Sequence, residues 1–156
     1  MNFGFTELLL VALALILIVA AVIDVRTFTI SNRLNLAVAL LAPVYWWSVG
    51  LQLWPAVAVQ VVVALAVFVL LAIAFFTGLM GGGDVKLAAA LALWFSPLST
   101  LRFLVVMSIA GGLVTLVFIA LHNRRKTLGR PEIPYGVAIA IGGLAILAQR
   151  FLNQFA

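Results

Sequence analysis

Gly81-Gly82-Gly83-Asp84-Val85-Lys86 stands at the join between two long apolar segments and is the only glycine triplet in the chain. Glycine lets a backbone take φ > 0 and lets another chain approach closely, because no Cβ stands in the way. Asp84, inside this stretch, is one of only four acidic residues. An acid at the mouth of an apolar helix is costly to keep charged without a reason. Asp24 is its expected partner, so the reading works outward from Asp84 in both directions.

On either side the chain is overwhelmingly apolar. It is 67% hydrophobic and 8% charged, with a mean hydropathy of +1.33, against about 25% charged residues in soluble domains. A soluble domain of 156 residues has too little interior to hide that surface. The expected fold is an all-α integral membrane bundle of about six transmembrane helices, one membrane-embedded domain spanning 1–156. The apolar runs are 8–23, 34–53, 55–79, 87–97, 101–121 and 133–152. Five approach the roughly 20 residues that cross about 30 Å at 1.5 Å per residue. The fourth is too short to cross alone and needs flanking residues or a surround of protein. Pro43 is placed to kink the second run, and Pro55 to open the third.

The first run is not read as a cleavable signal. Residues 1–8 carry Glu7 and no lysine or arginine, whereas a signal peptide begins with a positive segment. The run also meets Asp24 and Arg26 rather than a small-residue cleavage site, so it is expected to stay as a first span.

Charge sets the expected orientation. Arg26, Arg33, Lys86, Arg124, Arg125, Lys126 and Arg130 fall on one face if all six runs cross, and only Arg102 and Arg150 on the other. Basic loops favour the cytoplasm, so both termini are expected outside it. Trp46, Trp47, Trp54 and Trp94 then fall toward the outer boundary, where indoles anchor helices. The net charge of +5 is explained by the bilayer, with membrane lipid as a partner and no nucleic acid. No repeat of fixed period appears, and no motif sets an oligomeric state.

The remaining chemistry is narrow. Cysteine is absent, which excludes disulfides, thiolate catalysis and cysteine zinc clusters. His122 is the only histidine, so it cannot complete a zinc site and reads as a solvated residue of a basic loop. No Gly-x-Ser-x-Gly is present, and no Gly-Lys-Ser/Thr follows the glycine triplet. No metal and no cofactor are expected. Any catalysis falls to carboxylates: Glu7, Asp24, Asp84 and Glu132. Glu7 precedes the first span, and Glu132 lies between Pro131 and Pro134 in the basic loop.

Asp24 ends the first run and Asp84 opens the fourth. Two crossings separate them, so both return to the same face at similar depth. Two carboxylates about 3 Å apart cannot both ionise, and the pair holds one proton. One then activates water while the other donates to a scissile carbonyl. Simpler readings stand beside this one. Asp24 alone suits a helix end at the interface, and Asp84 alone suits the N-cap of the fourth helix.

Three segments resemble the type IV prepilin peptidases, in their short CpaA/TadV-like form. Ile23-Asp24-Val25-Arg26-Thr27-Phe28-Thr29-Ile30-Ser31-Asn32-Arg33-Leu34 is similar to the family's first aspartate segment. Gly81-Gly82-Gly83-Asp84-Val85-Lys86-Leu87 matches its Gly-x-Gly-Asp motif. Ile133-Pro134-Tyr135-Gly136-Val137-Ala138 is similar to the segment opening its last helix. The resemblance implies an integral membrane aspartic endopeptidase of the bacterial inner membrane. Such an enzyme cleaves the basic leader of a type IV prepilin or pseudopilin, here of Flp/Tad type, at the cytoplasmic face. It implies Asp24 and Asp84 as the catalytic pair. Gly81 and Gly83 would shape the loop, and Lys86 and Asn32 would serve as supporting or substrate contacts.

Two departures from the family pattern stand out. Ser31 occupies a position where many members have proline. The long members' cysteine-rich insertion is missing, so methyltransferase activity is not expected. The competing reading is a non-catalytic assembly subunit or an ion or proton relay. A relay favours carboxylates nearer the bilayer midplane. A lipoprotein signal peptidase would need an Asn-x-x-Asp-Arg type segment, which is absent.

Overall fold

The computed structural model describes residues 3–125 and 133–154. Lys126, Arg130 and Glu132 of the expected basic loop lie outside the described residues. Six α-helices account for nearly all the rest: α1 (Phe3–Thr27), α2 (Asn32–Ser48), α3 (Ala58–Phe76), α4 (Gly82–Ala92), α5 (Pro97–Arg125) and α6 (Tyr135–Gln154). A wider helical turn, Leu53–Val57, leads into α3 and contains Pro55. Pro43 lies within α2 without ending it.

Four helical segments are long and apolar enough to cross a membrane: Gly4–Thr27, Leu53–Phe76, Pro97–His122 and Tyr135–Leu152. Their outward faces carry leucine, isoleucine, valine and phenylalanine, Leu65, Leu116 and Ile109 among them. The chain is a multi-pass membrane protein. The other two helices are shorter. α2 stops at Ser48, and α4 has 11 residues, a length of about 16 Å or half a bilayer core.

The short helix is tolerated because protein surrounds it. α4 packs against α2, α3 and α6, and Leu87, Ala88, Leu91 and Ala92 are fully buried. Backbone that leaves a helix at membrane depth survives only where other groups satisfy it. The indole of Trp46 donates to the Leu93 carbonyl at 2.8 Å, just past the end of α4. Trp94 donates from the same turn to Val38 O at 3.0 Å.

Trp94 therefore departs from the expected boundary anchor. It is 2% exposed and stacks on Tyr45 with ring centroids 5.0 Å apart. Trp47 and Trp54 are the outward-facing indoles. Trp94→Phe keeps the ring stack but loses the bond to α2 and part of the buried indole. It is expected to lower stability by about 2 kcal/mol, read as an earlier thermal midpoint in detergent. An unchanged midpoint would leave α4 held by its other neighbours alone.

Small residues on α6 set the spacing of the bundle, as is common between membrane helices. A Cβ at Gly143 would sit 2.8 Å from Leu17 of α1, and one at Gly142 3.0 Å from the Phe103 ring of α5. α6 packs against α1 and α5 through this face. At one end of the bundle the Thr6 hydroxyl donates to Ser48 Oγ at 3.1 Å, joining the start of α1 to the end of α2. The aspartates lie at the other end.

Candidate active site

α1 runs beyond its apolar stretch, so Asp24 lies in the last turn of a helix and not in a loop. Phe28 ends the helix with φ +52, a left-handed conformation that is costly for a bulky residue. Its N–H donates to Asp24 O at 2.8 Å, and its ring meets Phe118 edge-on at 6.1 Å. The Thr27 hydroxyl donates to Ile23 O at 2.9 Å and Thr29 to Thr27 Oγ1 at 3.1 Å. These contacts hold a turn of a few residues that drives Ile30 inward, where it is 8% exposed.

Ser31 then caps α2. Its hydroxyl accepts from Leu34 N, and its backbone lies at φ −70, ψ 144, a conformation that proline also adopts. Serine thus keeps a backbone that proline would also take and satisfies one open N–H of the helix start.

Asp24 is 1% exposed. Its Oδ2 accepts from the Gly136 N–H at 2.6 Å, and the Val137 N–H also supports the carboxylate. Both donors belong to the first turn of α6, where unpaired N–H groups and the helix dipole favour an anion. A Cβ at Gly136 would sit 2.8 Å from Asp24 Oδ2 and 2.6 Å from Ile30 Cδ1. Glycine is thus required for the amide to reach the acid.

Asp84 is 7% exposed and sits in the first turn of α4, three residues after the N-cap, which is Gly81. The simpler reading of Asp84 as the cap is thereby corrected. Its carboxylate turns back toward the cap, supported by the Gly81 backbone N–H, in the manner of the acid of a capping box. A Cβ at Gly81 would lie 2.8 Å from Asp84 Oδ2. Asp84 Oδ1 is buried with no hydrogen-bond partner.

Ile30 lies between the Asp24 carboxylate and the Gly83 backbone that precedes Asp84. Ile30 packs beside Gly136 and Asp24 on one side. On the other, a Cβ at Gly83 would lie 2.6 Å from Ile30 O. Asp24 and Asp84 are near enough that the charge of one acts on the other. Lys86 and Asn32 also meet, Lys86 Nζ donating to Asn32 Oδ1 at 2.9 Å. One helical turn into α2, buried Asn35 donates to Gly83 O at 2.9 Å. The starts of α2 and α4 are therefore tied together twice.

All six residues singled out from the sequence fall in this cluster. Gly136, Ile30 and Asn35 are structural members that were not singled out. Asn35 had a visible signal, being a polar residue three positions after Asn32 and so on the same helix face. His122 lies in the last turns of α5 rather than in a loop. Among the described residues no cluster of three His, Cys, Asp or Glu side chains could hold a metal ion.

Comparison with curated proteins and with solved structures returns no match. Residues 11–116, well over half of the chain and including both aspartates, match a family described as the type IV leader peptidase family. That family implies a prepilin peptidase activity and a prepilin substrate in general. With both acids inside the matched region and buried at one end of a membrane bundle, the chain belongs to the type IV leader peptidase family.

Proposed function

We propose that the chain is an aspartic endopeptidase that removes the basic leader of a Flp/Tad-type prepilin at the cytoplasmic face of a bacterial inner membrane. Asp24 and Asp84 form the reacting pair. The observation that carries this reading is their burial at one end of the bundle, close enough for the charge of Asp24 to act on Asp84.

Two such acids share one proton. The α6 N-terminus favours the charge on Asp24, so Asp84 holds the proton before reaction. Asp24 takes a proton from water as the water oxygen bonds to the scissile carbonyl carbon. Asp84 donates its proton to the carbonyl oxygen. Collapse of the tetrahedral intermediate breaks the C–N bond, and the leaving nitrogen takes a proton from the pair. Water is the only co-reactant, and no methyl transfer is part of the reading.

An apolar groove of about 800 Å³ between α3, α5 and α6 includes Met80 and Tyr135, the neighbours of Gly81 and Gly136. It suits the apolar helix that follows a prepilin leader, with the leader junction at the depth of the acids. The seven basic residues of the expected cytoplasmic face give the orientation, with both termini outside.

Co-expression with a prepilin, followed by gel shift and N-terminal sequencing, tests the activity. The expected product begins at the residue after the leader glycine and appears only with the chain present. A membrane-inserted prepilin left at full length would overturn the reading.

Lys86 and Asn32 act as positioning residues that hold the α4 start against the α2 start. Lys86→Ala and Asn32→Ala are each expected to slow cleavage about threefold to tenfold without loss of membrane insertion. The double variant should be no slower than the worse single one, because one contact is lost in each case. Multiplying effects would assign the two side chains separate roles.

A further inference from the structure

The end of the bundle away from the aspartates holds a second polar centre in a cavity of about 560 Å³, within the usual range for small-molecule sites. Arg102 and Arg150, the two basic residues outside the expected cytoplasmic group, both line it. Arg150 lies 14 residues along α6 from Gly136, about 21 Å at the helical rise.

The cavity is prepared for an anion rather than merely basic. The Arg150 guanidinium hydrogen-bonds Tyr45 Oη and lies 5.3 Å from the centre of that ring. Tyr45 in turn stacks on buried Trp94, which gives the charge a rigid backing. Arg102 enters from the first turns of α5. The start of that helix also contributes Ser96, whose hydroxyl accepts from Ser99 N at 3.4 Å. Ser96 and Ser99 both line the cavity, so the positive end of the α5 dipole faces it.

A further observation points to a missing ligand. Gln60 of α3 lines the same cavity and is 8% exposed, with its Oε1 buried and unpaired. A buried acceptor oxygen without a donor is costly within a membrane bundle, and a ligand hydroxyl would satisfy it. Neither arginine pairs with a carboxylate among the described residues. Glu7, which belongs to the same end of α1, does not line the site.

We propose that this cavity binds a phosphate-bearing anion that also carries a hydroxyl, with Arg102 and Arg150 as the charged ligands and Gln60 Oε1 accepting from that hydroxyl. Guanidinium groups suit phosphate because their N–H groups match its oxygens in pairs. Outward-facing Trp47 and Trp54 mark the nearby membrane boundary, the level at which a phospholipid headgroup sits. This site is separate from the proposed peptidase centre and stands or falls independently of it.

The test uses the full chain, purified in neutral detergent and stripped of lipid. Native mass spectrometry is run with phosphatidylglycerol and with phosphatidylcholine. Thermal melting is run with and without millimolar inorganic phosphate. Wild type should retain one phosphatidylglycerol per chain in preference to phosphatidylcholine. Arg102→Gln, at an exposed position where folding is not at stake, should retain it at least about tenfold less. Arg102→Lys should recover part of the loss.

If phosphate raises the melting midpoint of wild type but not of Arg102→Gln, and no lipid is retained, the site takes the free anion. Equal retention by wild type and Arg102→Gln, or equal retention of the zwitterionic lipid, would overturn the proposal. So would a lack of response to either source of phosphate.

Discussion

Asp24→Asn and Asp84→Asn are each expected to lower leader cleavage about 10³-fold or more while the protein still folds and inserts. The reason is chemical rather than steric. Asparagine matches the shape of aspartate, and its carbonyl oxygen can still accept from the Gly136 N–H that meets Asp24 at 2.6 Å. It cannot take a proton from water, and it cannot hold the shared proton. The double variant should be no slower than either single variant, because the two acids work as one unit. The comparison uses matched membrane levels and N-terminal sequencing of the product. An inserted variant that cleaves at the wild-type rate removes its aspartate from the mechanism. If both do so, the aspartates are interfacial and the peptidase reading for this pair is abandoned.

Gly136→Ala is expected to lower activity on the order of 10²-fold, although no reacting group is changed. The added methyl would lie 2.8 Å from Asp24 Oδ2, 2.9 Å from its Cγ and 2.6 Å from Ile30 Cδ1. Real carbon contacts need well over 3 Å, so the carboxylate and Ile30 must both move. Ile30 has little room, since its carbonyl already abuts Gly83 on the far side. The carboxylate therefore leaves the α6 N-terminus, and the pair loses its alignment. A misplacement of about 1 Å in a catalytic group can cost on the order of 10²-fold. Overpacking should also lower stability by about 1–3 kcal/mol. Folded, inserted Gly136→Ala that cleaves normally would show that the amide contact is dispensable.

Gly83→Ala makes a useful comparison. Its methyl would meet backbone, Ile30 O at 2.6 Å, which cannot rotate away. The expected signature is instability together with lost cleavage. Gly136→Ala should instead lose cleavage more than it loses stability. Similar melting curves and similar rates for the two variants would argue that both disrupt packing and nothing more specific.

The membrane class, the helical fold and the placing of both aspartates at one end were legible in the residues in order. Each depends on short-range physics. An apolar run long enough to cross a bilayer must satisfy its own backbone, and a helix does so internally. Two apolar runs separate Asp24 from Asp84, an even number that returns the chain to the end it left. The glycine triplet, with one of four acids inside it, marked a close approach before any neighbour was known.

The identity of those neighbours was not legible. Gly136 meets Asp24 across 112 residues, and no local pattern ties the two. Gly136 lies in the segment quoted for the family resemblance, yet its contact follows from how α6 packs on α1. Ile30 and Trp94 show the same limit. An isoleucine in a short turn and a tryptophan beside a short helix both look suited to the membrane boundary. They become buried because α4 is too short to cross alone and the other helices close around it. Local sequence sets which segments enter the membrane, since that depends on each segment's own transfer from water. Packing sets which glycine must stay bare, since that depends on helices far apart in the chain competing for one volume.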